Sequence, residues 1–429
     1  MSNPTTPRCL PLYGLLVANF ISRTGNNLTY IAIPWFVLAT TGSAAKTGLV
    51  AAAGIVPIII TGILGGPLID RLGYKRMAVI SDTASGLNVA LIPLLHTTVG
   101  LPFWGLLVLV LLGAVLDSPG NTARQSLLPD LAKLAEMPLE RANSIVMIAG
   151  RTSSMLGAPL AGLLIAVIGT SNLLWLDAVS FGASAAVVAI AIPGSVATRA
   201  QAQVTQAGTA LRGYISEVAE GFRFIRQDGL IFWMVISFSL GGLLAEPDYS
   251  VFLPVYAREV YNSALDLGFM YSALGGGSII GATIFAVFGH RMPRRATLLT
   301  GFTVRALTFW TLVFMPPISV VVAAIIINAT LLEPTNPMVQ TIFQERIPDG
   351  MRGRVFGTIM AIGATTMPIG MIAYGVMISE LGLQTSLYIF ASVNLLLPLI
   401  LAAVPVFRTL GESAGRSGAT QPTQPVIPV

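Results

Sequence analysis

Four acidic side chains stand in stretches of the chain that are otherwise apolar: Asp117, Glu246, Asp248 and Glu333. A carboxyl group that is kept away from water binds a proton readily near neutral pH, because desolvation disfavours its charged form. The stretches around Glu246, Asp248 and Glu333 contain no Lys or Arg that could neutralise these acids. We therefore predict that the four acids bind and release protons.

Polar residues also recur at helical spacing in the first apolar stretch. Asn19, Arg23, Asn26 or Asn27, and Tyr30 follow one another every three or four residues, so they share one face of a helix. A polar stripe on an apolar helix is typical of a cavity wall. We predict that this stripe lines a substrate cavity together with three further residues, which are Arg151, Asn336 and Gln340.

Several of these charges allow a second interpretation. Asp117 and Arg151 lie at similar depths, and they form either a static salt bridge or a bridge that opens when the acid is protonated. Glu246 and Asp248 could instead lie in a wet outer vestibule. Glu333 could form a static pair with Arg23 or Arg305.

A tight turn follows the second apolar stretch and combines glycines, an acid and several bases. A carboxylate stabilises a helix N-terminus, and bases stabilise helix C-termini or bind anionic lipid. We predict that the turn latches the inner side by docking near the start of the eleventh stretch; a simple basic anchor is the alternative. The residues of this predicted gate are Gly66, Asp70, Arg71, Gly73, Lys75 and Arg76.

Twelve apolar stretches must position these residues. With 54% hydrophobic and 10% charged residues, a soluble fold of 429 residues would have too few polar residues for its surface. The mean hydropathy is +0.78. A bilayer core requires about 20 helical residues, and each stretch is long enough to cross it. We place the spans at residues 11–38, 45–69, 76–96, 101–123, 141–169, 172–193, 230–257, 264–289, 295–315, 318–343, 353–380 and 383–407.

Lys and Arg are distributed unevenly between the connections. Nineteen of the 24 lie at the termini or in alternate connections, whereas the other connections hold only Lys46 and Arg258. Cytoplasmic loops retain Lys and Arg, so both termini are predicted to be cytoplasmic in a multi-pass protein of the bacterial inner (plasma) membrane. The net charge of +5 comes from these loops. Topology and contacts with membrane lipids account for it, and we expect no nucleic-acid partner.

The chain repeats after about half its length. Ser144–Gly162 aligns without gaps on Gly357–Gly375, and Gly157 falls on Gly370. We therefore predict an all-α membrane protein of twelve transmembrane helices in two pseudo-symmetric six-helix bundles, which meet at a central substrate path. The predicted domains are an N-terminal bundle (1–193), a cytoplasmic linker with an amphipathic helix (194–229), a C-terminal bundle (230–407) and a disordered cytoplasmic tail (408–429).

Other kinds of chemistry lack the residues they need. One cysteine and two histidines cannot form a thiolate or histidine metal cluster, so we expect no metal site. The sequence contains no phosphate-binding Gly-Lys-Thr loop and no nucleophile elbow, so ATP hydrolysis and hydrolase activity are not expected. We predict that the protein is no enzyme and has no cofactor.

The turn after the second span resembles the signature loop of the major facilitator superfamily, which has the same order of Gly, Asp, Arg, Gly and base. Tyr74 departs from that pattern, because the family usually has a base there. The segments Asp117–Asp130, Leu253–Tyr256 and Arg346–Gly357 are similar to drug:proton antiporters related to macrolide-efflux and enterobactin-exporter proteins. The resemblance covers nearly all of residues 10–407, and it implies the major facilitator fold and proton-driven export.

We therefore expect a monomeric secondary active transporter that exports amphipathic small molecules, such as cationic drugs, in exchange for protons by alternating access. Two alternatives use the same fold. A siderophore exporter would bind its anionic ligand through Arg23, Arg151 and Arg305, and a proton-coupled importer would move its substrate inwards. A non-transporting membrane receptor or scaffold is a further alternative.

Overall fold

The computed structural model describes residues 9–55, 72–193 and 218–411, and within these ranges the chain forms helices joined by short turns, with no strand. The predicted gate residues Gly66, Asp70 and Arg71 lie outside the described residues, as do 194–217 of the linker and 412–429 of the tail. The helices are α1 (Leu10–Thr41), α2 (Ala44–Ile55), α3 (Tyr74–Thr98), α4 (Phe103–Leu134), α5 (Leu139–Ile168), α6 (Thr170–Ala191), α7 (218–227), α8 (Gly229–Tyr261), α9 (Ala264–Phe288), α10 (Arg294–Val313), α11 (Ile318–Arg346), α12 (Arg352–Leu381) and α13 (Leu383–Ala403).

By length and composition, nine helices of the described part are long and apolar enough to cross a membrane. In a bilayer, helices satisfy every backbone hydrogen bond internally, so such segments fold as helices. The long helices α1 and α5 carry more polar residues, and α2 begins at Ala44, next to the predicted start of the second span. With these three, a described helix coincides with each of the twelve predicted spans, although the second span is described only as Ala44–Ile55, and the predicted all-α membrane fold is confirmed.

The helices pack as two bundles, the N-half (α1–α6) and the C-half (α8–α13). In the N-half, α1 packs on α4, α5 and α6, while α3 lies against α4 and α6. In the C-half, α10 packs on α11 and α13, α9 on α11, and α8 on α12. Related turns join α5 to α6 and α12 to α13: Gly169 and Gly382 have φ of +80° and +78°, which glycine adopts without strain. The same sequence offset that relates Gly157 to Gly370 relates these two glycines.

The buried apolar residues form one shared cluster and two separate ones. The shared cluster joins both halves and includes Trp35 and Leu267. It lies at the helix ends away from the chain termini. Towards the termini, each half has its own cluster, around Leu131 in the N-half and around Phe343 in the C-half. The two halves are therefore joined at one side and have separate cores at the other.

Glycines allow the close approach of the halves at the joined side. Gly162 of α5 lies against the backbone of Gly268 in α9, and Gly48 of α2 lies against the carbonyl of Met371 in α12. The backbone N–H of Ala45 also donates to Ser379 Oγ over 2.8 Å. Small residues at such contacts let two helix backbones touch without intervening side chains.

Helix α8 is irregular in its second half. Two π-type turns, Asp248–Phe252 and Ala257–Tyr261, flank the α-helical turn Leu253–Tyr256. Pro247 has no N–H, so the carbonyl of Leu243 loses its usual helical partner. Gly370 of α12 packs directly against that carbonyl. Glu246 and Asp248 therefore lie where the helix changes its hydrogen-bond pattern.

Helix α4 differs most from its predicted bounds, because it continues to Leu134 rather than ending near residue 123. Arg124, which the uneven distribution of bases assigns to a connection, thus lies inside the helix and is fully buried. The extension follows from Leu127, Leu128 and Leu131, which pack into the core of the N-half.

Candidate functional site

Each half contains a cavity that is lined by acidic and amide side chains. The cavity in the N-half, called the N-cavity, has a volume of about 490 Å³, and the cavity in the C-half, the C-cavity, has a volume of about 300 Å³. Each half thus has a cavity of its own among the described residues, and the central substrate path between the halves stays a prediction. Polar residues of the N-cavity include Asn26, Tyr30, Ser85, Asp117, Asn121 and Gln125, and polar residues of the C-cavity include Glu246, Asp248, Arg305, Asn328, Glu333 and Asn336.

Asp117 of α4 lines the N-cavity and is held by two amides. Its Oδ2 accepts hydrogen bonds from Asn26 Nδ2 at 3.3 Å and from Asn121 Nδ2 at 2.7 Å. Its Oδ1 lies 4.0 Å from the Arg124 guanidinium, beyond hydrogen-bond distance. One oxygen of the carboxylate is thus fixed, while the other is left without a hydrogen bond from the described residues.

A buried ion pair lies behind the wall of the N-cavity. Arg124 pairs with Asp82 of α3, and its Nε donates to Asn19 Oδ1 at 3.1 Å. Ser184 Oγ donates to the other oxygen of Asp82 at 2.7 Å. Asn19 is therefore committed to this pair, and its prediction as a cavity residue is wrong. It lies on the predicted face of α1, but at a depth where that face meets Arg124.

Asp248 is also ion-paired, although its own helix contains no base near it. Arg305 of α10 pairs with Asp248 and donates from Nε to Asn394 Oδ1 at 2.7 Å. The span of Asp248 contains no base, as the sequence indicates, and the neutralising base comes from a neighbouring helix. Both side chains are almost fully buried, and both contribute to the lining of the C-cavity.

Glu246 lines the C-cavity and contacts the N-half. Its Oε2 accepts a hydrogen bond from the hydroxyl of Tyr30 on α1 at 3.2 Å. Within the described ranges, no Lys or Arg forms an ion pair with it. Tyr30 also lines the N-cavity, so its side chain lies between the two cavities.

Glu333 lies in the C-cavity beside Gly281 of α9, and a Cβ added at that glycine would come within 2.9 Å of Glu333 Cβ. It forms no ion pair with Arg23 or Arg305 among the described residues, since Arg305 is paired with Asp248. Asp117 and Arg151 form no salt bridge in this structure, so the static bridge is wrong, whereas a bridge that opens stays a prediction. Arg124 is the base next to Asp117, and the side chain of Arg151 is exposed.

The rest of the predicted cavity wall divides between several neighbours. Asn26 and Asn336 line the two cavities. Asn27 Nδ2 donates to Ser153 Oγ on α5 at 3.3 Å, and Arg23 packs against Gly150 of the same helix. Gln340 is exposed, and neither described cavity includes it. Arg23, Asn27, Arg151 and Gln340 do not line the N-cavity or the C-cavity, and their place along a substrate path between the halves stays a prediction.

Three residues of the predicted gate are described. Gly73 has φ of +80° and precedes α3, and Arg76 is exposed. Lys75 Nζ donates to the carbonyls of Ala189 and Ile192 at 2.8 and 2.5 Å. A base there stabilises the C-terminal carbonyls of α6. Lys75 thus binds within its own half, and the predicted latch onto α12 stays a prediction, because Gly66, Asp70 and Arg71 lie outside the described residues.

Two buried acids were not selected from the sequence. Asp82 is the partner of Arg124, and Asp177 of α6 accepts hydrogen bonds from Thr29 Oγ1 at 2.5 Å and Ser180 Oγ at 3.0 Å. Both stand inside apolar stretches, where an ionisable side chain is costly unless it has a partner. That signal alone would have identified them. In the described part of the chain, no group of three or more His, Cys, Asp or Glu residues could hold a metal ion.

The chain is similar to known membrane transporters over most of its length. Residues 15–368 match the model of the Major Facilitator Superfamily, and a second match covers residues 249–429. The chain is 30% identical to the multidrug efflux pump Tap of Mycolicibacterium fortuitum, over 93% of this chain and 97% of that protein. It is 21% identical to macrolide efflux protein A of Streptococcus pyogenes, over 87% of this chain and 91% of that protein.

Solved structures share the fold at low sequence identity. The nucleoside transporter NupG (D323A mutant) superposes with a TM-score of 0.71 at 14% identity, covering 92% of this chain and 99% of that one. A bacterial homologue of the iron transporter ferroportin in an inward-facing state gives 0.69 at 14% identity, covering 95% and 99%.

Proposed function

We propose that this chain, which belongs to the Major Facilitator Superfamily and is a membrane efflux transporter and not an enzyme, exports amphipathic cationic small molecules in exchange for protons. The family resemblance of its loop motifs is confirmed. We further propose that both termini are cytoplasmic, so that the joined side of the two halves faces outwards. The efflux of several drugs by the relatives supports the direction of transport.

The contact between Tyr30 and Glu246 carries the proposal. It joins the two halves through a carboxylate that has no basic partner among the described residues. A hydrogen bond to an ionised acceptor is about twice as strong as one between neutral groups. Protonation of Glu246 therefore weakens a contact between the halves, and changes the relative free energy of their arrangements.

Exchange requires that the two halves keep their arrangement when the protein is ionised and empty. They must change it when a proton or a substrate is bound. The ionised Glu246 holds Tyr30 and thereby the outer contact. Either a proton on the carboxylate or a cation nearby removes the net charge that strengthens the bond. Glu333, in the same cavity, is the second acid available to a proton. Asp248 is less suited to this role because Arg305 already neutralises it.

The charges in the two cavities favour a cationic substrate. The N-cavity is lined by Asp117 and by no Lys or Arg of the described residues. The C-cavity is lined by Glu246, Asp248 and Glu333 against the single base Arg305. An anionic siderophore would meet an excess of negative charge in both places, so the cavities are better suited to cationic drugs.

The test is transport in proteoliposomes that contain the full chain and carry an imposed pH gradient. Ethidium, a macrolide and a catecholate siderophore are the compounds followed. We expect ethidium to move against the proton flow in the wild type and to lose this dependence on the gradient in Glu246→Gln. Glu259→Gln is the matched control, because it removes an exposed acid from the outer end of the same helix.

Other outcomes would overturn the proposal in specific ways. Movement of a compound together with protons would indicate an importer. Siderophore movement without ethidium movement would indicate an anion exporter. Wild-type protein that moves nothing under any gradient would favour a receptor or scaffold, and equal loss in Glu246→Gln and Glu259→Gln would remove Glu246 from the coupling.

A further inference from the structure

We propose that the N-cavity is the substrate site, and that the carboxylate of Asp117 binds a protonated amine on an otherwise apolar, ring-containing compound. This inference rests on the proposed export function and makes it more specific. It separates the acid that binds the substrate cation, Asp117, from the acid that binds the proton, Glu246.

Unsatisfied polar atoms are the first observation. Asp117 Oδ1 and Ser85 Oγ are both buried and have no hydrogen-bond partner among the described residues, and both residues line the N-cavity. A buried polar atom is normally hydrogen-bonded, because leaving it unpaired costs the full loss of its hydration. A ligand with an N–H group would supply a donor to the carboxylate.

The hydrogen bonds of Asp117 fall on one of its two oxygens. Asn26 and Asn121 both donate to Oδ2, which fixes the plane of the carboxylate and leaves Oδ1 without a donor. The amides therefore orient the acid without neutralising it. An acid held in this way can bind a cation without first reorganising, which reduces the free-energy cost of binding.

The local charge balance also favours a cation. Arg124 is the base next to two acids, and it forms its close ion pair with Asp82. It stays 4.0 Å from Asp117 Oδ1. These three side chains together keep one formal negative charge, which lies at the cavity wall. A carboxylate that is largely removed from water attracts a cation more strongly than an exposed one.

The remaining wall is apolar and suits a flat ring system. Side chains of α1, α2, α3 and α4 enclose the space, together with Phe181 of α6. The volume of about 490 Å³ lies within the range of small-molecule sites. The apolar lining residues that carry this argument are Ile33, Val89, Ile92, Leu109, Val110 and Phe181.

Tyr30 connects this site to the proton site. It lines the N-cavity together with Asp117, and its hydroxyl donates to Glu246 on the other half. A cation in the N-cavity therefore acts on the same contact between the halves as a proton on Glu246, without competing for the same carboxylate.

The test compares the binding of two fluorescent probes of similar shape, 9-aminoacridine, which is cationic at neutral pH, and acridine, which is largely neutral. Both are titrated into the purified full chain without a pH gradient. We expect Asp117→Asn to weaken 9-aminoacridine binding by about tenfold to a hundredfold, the loss of one hydrogen bond to a charged group. Acridine binding should change less than about threefold.

Glu246→Gln distinguishes this inference from the proposed function. It should keep the preference for 9-aminoacridine over acridine, although it abolishes transport driven by the gradient. Loss of the preference in Glu246→Gln, or its retention in Asp117→Asn, would overturn the assignment of Asp117. A failed transport assay with an intact probe preference would overturn the exchange mechanism alone.

A second variant covers the case in which Asp117→Asn does not fold. Val110→Phe keeps the carboxylate and only fills the N-cavity. It should weaken both probes by similar factors, because it removes space rather than charge. Unchanged binding of both probes would place the site outside the N-cavity and overturn the proposal.

Discussion

Among the described residues, the N-half and the C-half each contain a buried Arg–Asp pair whose arginine also donates to an asparagine. The two pairs differ in their position relative to the cavities. In the N-half, Arg124 pairs with Asp82 and donates to Asn19 behind the cavity wall. In the C-half, Arg305 pairs with Asp248 and donates to Asn394. There the pair itself lines the cavity.

This difference shows how duplicated halves come to hold different chemistry. Where the ion pair is withdrawn from the cavity, a further acid at the wall, Asp117, remains without its own counter-ion. Where the ion pair lines the cavity, further acids at Glu246 and Glu333 are needed to leave the C-cavity with net negative charge. The pairs hold helices together, and the additional acids remain available to ligands.

Removing one arginine should have the largest effect and should separate the two pairs. Arg124→Met leaves Asp82 charged, buried and unpaired, which costs about 3–5 kcal/mol of stability. Arg305→Met should cost less, because Asp248 lines a cavity that water or a proton can reach. Thermal unfolding in detergent, followed by size-exclusion chromatography, measures both.

The matched control for this comparison is the double variant Arg124→Met/Asp82→Leu. Replacing a whole buried pair by apolar side chains is often neutral, so the double variant should recover most of the loss. If Arg305→Met is the more damaging single change, or if the double variant is no more stable than Arg124→Met, the withdrawn pair in the N-half does not have the structural role assigned to it.

Adding a methyl group at the joined side, by Gly162→Ala or by Gly375→Ala, should have an intermediate effect. The two variants test whether the contacts between the halves are equivalent there. A Cβ at Gly162 would meet the backbone of Gly268, and a Cβ at Gly375 would meet the carbonyl of Ala44. Each overpacked contact costs about 1–3 kcal/mol, which shifts the arrangement of the halves towards one open at that side. Spin-label distances across α5 and α9, and across α2 and α12, report the shift.

Gly276→Ala is the control for these two variants, because a Cβ there has no atom within 4 Å in the described structure. Equal shifts from Gly162→Ala and Gly375→Ala would support the equivalence of the two contacts. A shift from only one of them would show that one contact closes the joined side. The absence of any shift would contradict the role of both.

Tyr30→Phe should have the smallest effect. It removes the 3.2 Å hydrogen bond to Glu246 and leaves the ring in place, at a cost of about 1 kcal/mol. We expect folded protein that leaks protons several-fold faster without substrate, because the contact between the halves at ionised Glu246 is weaker. A pH-sensitive dye inside proteoliposomes measures the leak, with Tyr13→Phe on the same helix as control. Unchanged leakage would remove Tyr30 from the coupling.

The spans could be predicted from the sequence because a bilayer imposes one requirement on every segment, namely length and apolarity. The same applies to the repeat, whose matched glycines recur as matched turns at Gly169 and Gly382. The base-counting rule misplaced Arg124, because it treats every arginine near a helix end as a loop residue. Buried acids such as Asp82 could have been found by asking which side chain pairs with each acid in an apolar stretch.

The partners themselves could not be predicted. Asp248 and Arg305 stand on different helices, and their meeting depends on how those helices rotate and tilt against each other. The stripe on α1 lines the N-cavity only in part, for a related reason. Asn19 and Tyr30 share a face, yet three helical turns separate them, so the same face meets the buried arginine at one depth and the other half of the molecule at another.

The irregular second half of α8 affects how its side chains can be assigned to faces. Each π-type turn advances fewer degrees per residue than an α-turn, so the azimuth of every later side chain lags behind a count of 3.6 residues per turn. Tyr256 consequently does not take the orientation that counting from Glu246 would give. Substitution series along this helix should be planned from coordinates. A helical wheel drawn through Asp248 assigns the last third of the helix to the wrong sides.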